Sequence, residues 1–179
     1  MNITIRNMRP SDADALYRLL SDPEVMRYLE PPYDRTQTEA FLRHAGLVEP
    51  PLVYAAEENG ILIGYVIYHA YDEGSVEIGW VLFPEYWGRG YASALTDQLI
   101  DMARQEQKSV VIECVPAQEI TKRIAVKKDS TTVGSVTDWR CTGVHVECQL
   151  SLRCFLYVGK GGLMIPSLFF SFLFDILFL

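Results

Sequence analysis

The stretch from Ser75 to Met102 constrains this chain more than any other, because it changes its hydrophobic period within one short span. Val76, Ile78, Trp80 and Leu82 alternate with Glu77, Gly79 and Val81, the two-residue repeat of a strand. Pro84 ends the strand, since proline cannot donate into a ladder. Gly88-Arg89-Gly90 then makes a tight turn, where a side chain on either flank would be a hindrance. After it Ala92, Leu95, Leu99 and Met102 recur at spacings of 3, 4 and 3, one face of a helix. A helix that starts directly after a glycine turn aims unpaired N–H groups and the positive end of its dipole forward. The stretch therefore reads as an anion site, suited to a phosphate or pyrophosphate.

Bulk properties narrow the field around that site. The chain has 179 residues, 49% of them apolar, which implies one domain with a real core and excludes global disorder. A formal charge of −7 with no basic stripe argues against nucleic acid as a partner. The same balance is compatible with a cationic amine, although it is also the ordinary solubility device of cytoplasmic proteins. Met1 to Arg6 lacks the basic start and apolar run of a signal peptide. The 4 cysteines (Cys114, Cys141, Cys148 and Cys154) form no Cys-x-x-Cys pair, and only 3 histidines are present. No metal site is expected on that basis, and free thiols in a reducing cytoplasm are.

In chain order, Asn2 to Met8 reads as a first strand, and Ser11-Asp12-Ala13-Asp14 opens a helix with Ala13, Leu16 and Leu20 inward. Pro23 starts a short second helix, and Thr36 to Ala45 a third. Leu52 to Glu57 and Ile61 to Tyr68 are strands joined by a Glu58-Asn59-Gly60 hairpin turn. Asp72-Glu73-Gly74 turns into the Ser75 strand, whose helix runs from Tyr91 to about Gln107. Val110 to Val115 is an apolar strand and Gln118 to Lys128 a last helix.

Trp87-Gly88-Arg89-Gly90-Tyr91-Ala92, following such a strand, resembles the acyl-CoA pyrophosphate loop of the GNAT acetyltransferase superfamily. The nearest branch is that of the ribosomal-protein N-terminal acetyltransferases. The family pattern is Gln/Arg-x-x-Gly-x-Gly/Ala, with Trp87 in the first position, as is usual in that branch, and Gly90 and Ala92 matching. In the last helix Gln118 stands where the family has Asn and Thr121 where it has Ser. The resemblance covers about residues 1–128 and implies an α+β fold, a mixed, mostly antiparallel sheet flanked by helices.

The family closes its sheet with a Gly-Phe turn and two further strands, whereas Lys128 here is followed by Asp129-Ser130. The expectation is a domain over 1–128 that lacks those two strands or has them replaced, and an atypical tail over 129–179. Codons for Asp129 to Thr132, read one base earlier behind a G, yield Gly-Phe-His-Tyr at suitable third bases. A change of reading frame near Lys128 is thus expected, with a divergent native tail as the alternative. Leu163 to Leu179 is apolar apart from Ser167, Ser171 and Asp175, the lower edge of a membrane span with an acid inside it, so no anchor is expected.

The resemblance also assigns roles. Acetyl-CoA would be the co-substrate, its pyrophosphate held by Gly88, Arg89, Gly90, Tyr91, Ala92 and Ser93 beside Trp87. Val81, Leu82 and Phe83 would line its thioester, with the N–H of Val81 or Leu82 freed by a bulge to polarise the carbonyl. Gln118 would bind the pantetheine arm. Glu77 would be the general base, the alternative being a solvated strand carboxylate, and Thr121 the general acid, since the position where many relatives carry tyrosine is Ala125. Tyr28, Tyr33 and Trp80 are candidates for the acceptor groove or for the core. His44 and His69 read as surface or loop residues. The expected activity is direct acetyl transfer to a primary amine, on a protein N-terminus or a small molecule, by a monomer or homodimer. The rival is an inactive acyl-CoA binder or a membrane-tethered protein.

Overall fold

The computed structural model describes residues 1–114, 117–128, 140–141 and 144–148. Five strands form the main sheet: β1 (Ile3–Arg6), β2 (Val53–Glu58), β3 (Ile61–Ala70), β4 (Ser75–Leu82) and β5 (Ser109–Cys114). Between β1 and β2 lie α1 (Ala13–Leu20), α2 (Pro23–Met26) and α3 (Arg35–Phe41). The long helix α4 (Tyr91–Gln105) joins β4 to β5, and α5 (Glu119–Lys128) follows β5. Two short strands, β6 (Arg140–Cys141) and β7 (Val144–Cys148), extend the sheet to the order β1-β2-β3-β4-β5-β7-β6. Strands β1 to β4 are antiparallel, whereas β4–β5 and β5–β7 are parallel. The remainder of 129–179, with the expected change of frame and the apolar 163–179 segment, lies outside the described residues. No helix among the described residues is long and apolar enough to cross a membrane.

Each face of the sheet carries its own core. On one, Leu16, Leu19, Leu20 and Phe41 from α1 and α3 pack on Val53, Ala55, Tyr65, Ile67 and Val81. On the other, Leu95, Leu99 and Ala103 of α4 and Ala125 of α5 cover Val66, Ile78, Val110 and Ile112. Leu95 and Leu99 are fully buried, each contributing about 2 kcal/mol of transfer free energy.

Local signals explain most element ends. Asp34 and Gln37 cap α3 reciprocally, each side chain accepting from the other's backbone N–H at 2.8 Å. Asp22 caps α2 through Glu24 N–H. Asn59 and Gly60 both take positive φ, 53° and 84°, as the two-residue hairpin turn requires. The entry to α1 differs from expectation: Asp12 rather than Ser11 stands at the N-cap position, and its side chain turns back from the helix instead of capping it. Its carboxylate accepts from Arg9 N–H at 2.7 Å and takes a two-pronged bond from Arg6 at 2.8 and 2.9 Å. Burial alone would raise this carboxyl, but Arg6 and the Arg9 N–H outweigh it and hold Asp12 below the usual range. Arg6 also donates to Glu57 at 2.7 Å, so one guanidinium ties the edge strand, the helix entry and β2 together.

The irregularity expected in β4 lies elsewhere. The β3–β4 ladder keeps one register from Ala70↔Val76 to Gly64↔Leu82, so β4 has no bulge against β3. The break falls between β2 and β3, where Ala56 pairs with Gly64 but Glu57 with Leu62, leaving Ile63 as the extra residue. Gly64 there has φ 154°, and a Cβ on it would lie 2.1 Å from the Val81 carbonyl oxygen and 2.8 Å from Leu82 Cα. Both obstacles are backbone. Gly64→Ala is therefore expected to destabilise the fold by about 2–3 kcal/mol or more in urea melts; an unchanged midpoint would contradict this close approach.

Candidate active site

The site begins where two parallel strands stop pairing. Between β4 and β5 the ladder runs only through Ser75↔Ser109, Val76↔Val110 and Glu77↔Val111. Beyond Glu77, β4 continues on β3 while β5 continues on β7, which opens a fork in the sheet. The ladder alternation decides which backbone groups face it. Phe83 N–H donates to Ile63 O on β3 at 3.0 Å, so Val81, two residues back, also turns into that ladder. Trp80 and Leu82 turn the other way, towards the side that β5 has left. Ser109 N–H donating to Gly74 O puts the even-numbered positions on that side as well. Of the two expected N–H donors, that of Leu82 faces the fork and that of Val81 faces β3.

At the mouth of the fork lies the glycine loop. Pro84–Tyr86 forms a single 3-10 turn, and Trp87 follows with its indole Nε1–H donated to Leu82 O at 2.8 Å. That bond ties the loop back to the end of β4 and leaves the ring 46% exposed. Gly88 and Gly90 have φ 68° and 88°, a conformation that strains any side-chain-bearing residue. Gly90 is the N-cap of α4 and offers no side chain to the helix end. Ala94 N–H donates to Gly90 O at 3.0 Å, so Tyr91, Ala92 and Ser93, the first three helical residues, carry the N–H groups without intrahelical acceptors. Arg89 donates to Glu85 O at 3.1 Å and lies over the Tyr86 and Tyr91 rings at 6.0 and 5.6 Å. Tyr91 in turn donates its hydroxyl to Glu58 at 2.6 Å, bracing the loop against the β2–β3 hairpin.

Glu77 stands at the base of the fork on the face covered by α1 and α3, opposite Val76 and Ile78. It is 4% exposed, which removes the alternative of a solvated strand carboxylate. Burial, reinforced by the charge of Glu113 on β5, pushes its carboxyl up to about 8. His69, expected at the surface or in a loop, is its cross-strand partner on β3, with Nε2 3.4 Å from Glu77 Oε2 and both side chains nearly buried. His44 is exposed, as expected.

The other candidates disperse. Gln118 is half-buried immediately before α5, its C=O accepting from Lys122 N–H at 3.2 Å, and Thr121 is half-buried in the first turn. Ala125 is 1% exposed and belongs to the core. Tyr33 is a core residue edge-on to Phe41, Tyr28 is on the surface, and Trp80 is half-buried. Among the described residues no cluster of His, Cys, Asp and Glu could hold a metal. His69 and Glu113 were the residues missed. The Asp72–Gly74 turn already pairs position 69 with 77, but only the packed sheet shows that both are shielded from water.

Comparison with known proteins fits this geometry. The sequence pattern of the Acetyltransferase (GNAT) domain matches residues 2–131. The chain belongs to the GNAT acetyltransferase family. Family membership makes it an acyl-CoA-dependent N-acetyltransferase by class. An uncharacterized N-acetyltransferase of Bacillus subtilis, YnaD, is 26% identical over 136 residues, 71% of this chain and 80% of its own. A GNAT-family acetyltransferase structure from Bacillus anthracis superposes with TM-score 0.64 at 26% identity, covering 71% and 78% of the two chains. The putative acetyltransferase yncA from Salmonella typhimurium, solved with acetyl-CoA, shares the fold at TM-score 0.54 and 23% identity, covering 72% and 79%.

A buried, raised carboxyl has a consequence for stability. The folded chain holds the Glu77 proton up to about 8, whereas the unfolded chain releases it near the ordinary glutamate value of 4.5. Between those values the native state binds more protons, so this group's contribution falls as pH rises through the window. Glu77→Gln should therefore gain stability relative to the parent chain at pH 9 and not at pH 4, measured by thermal melts. A stability difference independent of pH would contradict the buried, raised carboxyl.

Proposed function

We propose that the chain moves the acetyl group of acetyl-CoA directly onto a primary amine within a ternary complex. The observation that carries this is a coincidence in space. An N–H-rich, side-chain-free helix start and a buried carboxyl at about 8 flank the same fork. The loop from Gly88 to Ser93 would hold the pyrophosphate by backbone N–H groups, and Gln118 would meet the pantetheine arm. Acetyl-CoA supplies the activated thioester. Leu82 N–H would donate to its carbonyl oxygen as negative charge develops. Ionised Glu77 would take the proton from the acceptor nitrogen. Thr121 remains the candidate to protonate the departing thiolate.

The acceptor is a protein N-terminus or a small-molecule amine. Trp87 at the first loop position supports the ribosomal-protein N-terminal acetyltransferase branch. The family match ending at residue 131 supports an acetyltransferase domain that stops near Lys128, followed by a tail from a changed frame. Sequencing the codons for Lys127 to Thr132 tests that boundary. A cytoplasmic setting suits a chain whose 4 cysteines include no Cys-x-x-Cys pair. A purely binding role is less well supported, since a shielded, hard-to-ionise carboxyl at the fork has no use in binding an anion.

Thiol release from acetyl-CoA, followed against pH with spermidine and an alanine-initiated peptide as probe amines, tests the reading. kcat/KM should rise with an inflection near 8, and Glu77→Gln should lose that inflection together with about 10²–10⁴-fold of the rate. Full activity in Glu77→Gln would remove Glu77 from the chemistry.

A further inference from the structure

Glu77 Oε2 is buried and makes no hydrogen bond among the described residues. A carboxyl in that position either waits for a partner or costs stability without return. The group that faces it on β3 is an imidazole whose tautomer can be read from its other side. His69 Nδ1 lies 3.0 Å from Ala70 O, and because a carbonyl only accepts, Nδ1 must carry the hydrogen. In the neutral ring Nε2 then presents its lone pair to Glu77 Oε2 at 3.4 Å. Burial lowers His69 below its ordinary value, which keeps the ring neutral at physiological pH. The side chains of the two residues are only 7% and 5% exposed, and they share one cross-strand register pair. Among the described residues, the charged or titratable groups that act on Glu77 are thus His69 from β3 and Glu113 from β5.

We propose that His69 is the positioning residue of the Glu77 base, accepting at Nε2 the proton-bearing oxygen that Glu77 presents after each proton abstraction. This rests on the reading of Glu77 as general base. The step balances as proton movement alone. The acceptor nitrogen loses a proton to a Glu77 oxygen, and the new O–H donates to His69 Nε2, while Nδ1–H stays on Ala70 O. The present 3.4 Å is longer than an O–H···N hydrogen bond, so the step calls for a small rotation about the soft carboxyl torsion of Glu77. The arrangement gives the abstracted proton a fixed, water-free place and keeps the carboxyl aimed at the fork.

The test separates this inference from the reading beneath it. Glu77 is titrated by carboxyl-carbon NMR in the full chain and in His69→Phe, which keeps the ring's bulk but removes the acceptor nitrogen. Thiol release from acetyl-CoA with spermidine and the alanine-initiated peptide is measured on the same proteins and on Glu77→Gln. The expected result is a Glu77 midpoint near 8 that moves by about one pH unit or more in His69→Phe, with kcat down about tenfold or more and the acetyl-CoA KM little changed. Identical titration curves in both proteins would overturn the role of His69 while leaving Glu77 as base. A moved midpoint with undiminished turnover in Glu77→Gln would overturn both. His69→Gln, which restores a polar group at this position, should recover part of the loss; turnover in His69→Phe equal to that of the parent chain would mean that the ring only packs and would overturn the proposal. If His69→Phe fails to fold, His69→Leu, which also lacks the acceptor nitrogen, is titrated in its place, and an unmoved midpoint again overturns the proposal.

Discussion

The parting of β4 from β5 after Glu77 is the constraint on which the rest of the molecule depends. Up to that pair the sheet is continuous, and beyond it each strand finds its hydrogen bonds on its outer neighbour. Backbone groups on the inner edges of the fork are then left for a ligand, which a continuous sheet could not offer. The wedge persists because both arms are independently anchored. Strand β4 is held to β3 in unbroken register, and Gly64 lets the two backbones approach without a side chain between them. The long helix α4 is fastened along the other face by Leu95, Leu99 and Ala103. Its N-terminus is thereby fixed at the mouth of the fork, and the Trp87–Leu82 bond ties the intervening loop down.

The same geometry separates two electrostatic environments by a few residues of one strand. At the loop, exposed backbone N–H groups and Arg89 make a place for negative charge. At Glu77, burial and the neighbouring Glu113 make ionisation costly. A site that must hold an anionic carrier at one end and accept a proton at the other needs this contrast. It is obtained here by depth rather than by different residue types. The cost is a carboxyl that stabilises the fold least at the pH where it is ionised.

Much of this was legible in the sequence because it is local. The period change around Gly88–Gly90, the Asn59-Gly60 turn and the Asp34 capping box each carry their own structural instruction. What was not legible depended on distant partners. Asp12 at the start of α1 turns its carboxylate back to Arg6, on another element, instead of capping the helix. Val81 and Leu82 cannot be told apart as donors until one hydrogen bond, Phe83 to Ile63, sets the parity of the strand. His69 ends an apolar run just before the Asp72–Gly74 turn and so reads as a loop residue, and only the packing of the sheet shows it shielded beside Glu77. The irregularity assigned to β4 belongs to β3, where a glycine in the middle of an apolar strand was its only trace.

The central claim is that the fork and the Gly88–Ser93 loop together form an acyl-CoA site. Calorimetric titration of the full chain with acetyl-CoA, repeated with Gly90→Glu, tests it most directly. Saturable one-site binding that the substitution abolishes is expected, because a carboxylate and a Cβ would then stand where φ is 88° and an anion must lie. Equal binding by both proteins, or none by the parent chain, would contradict it.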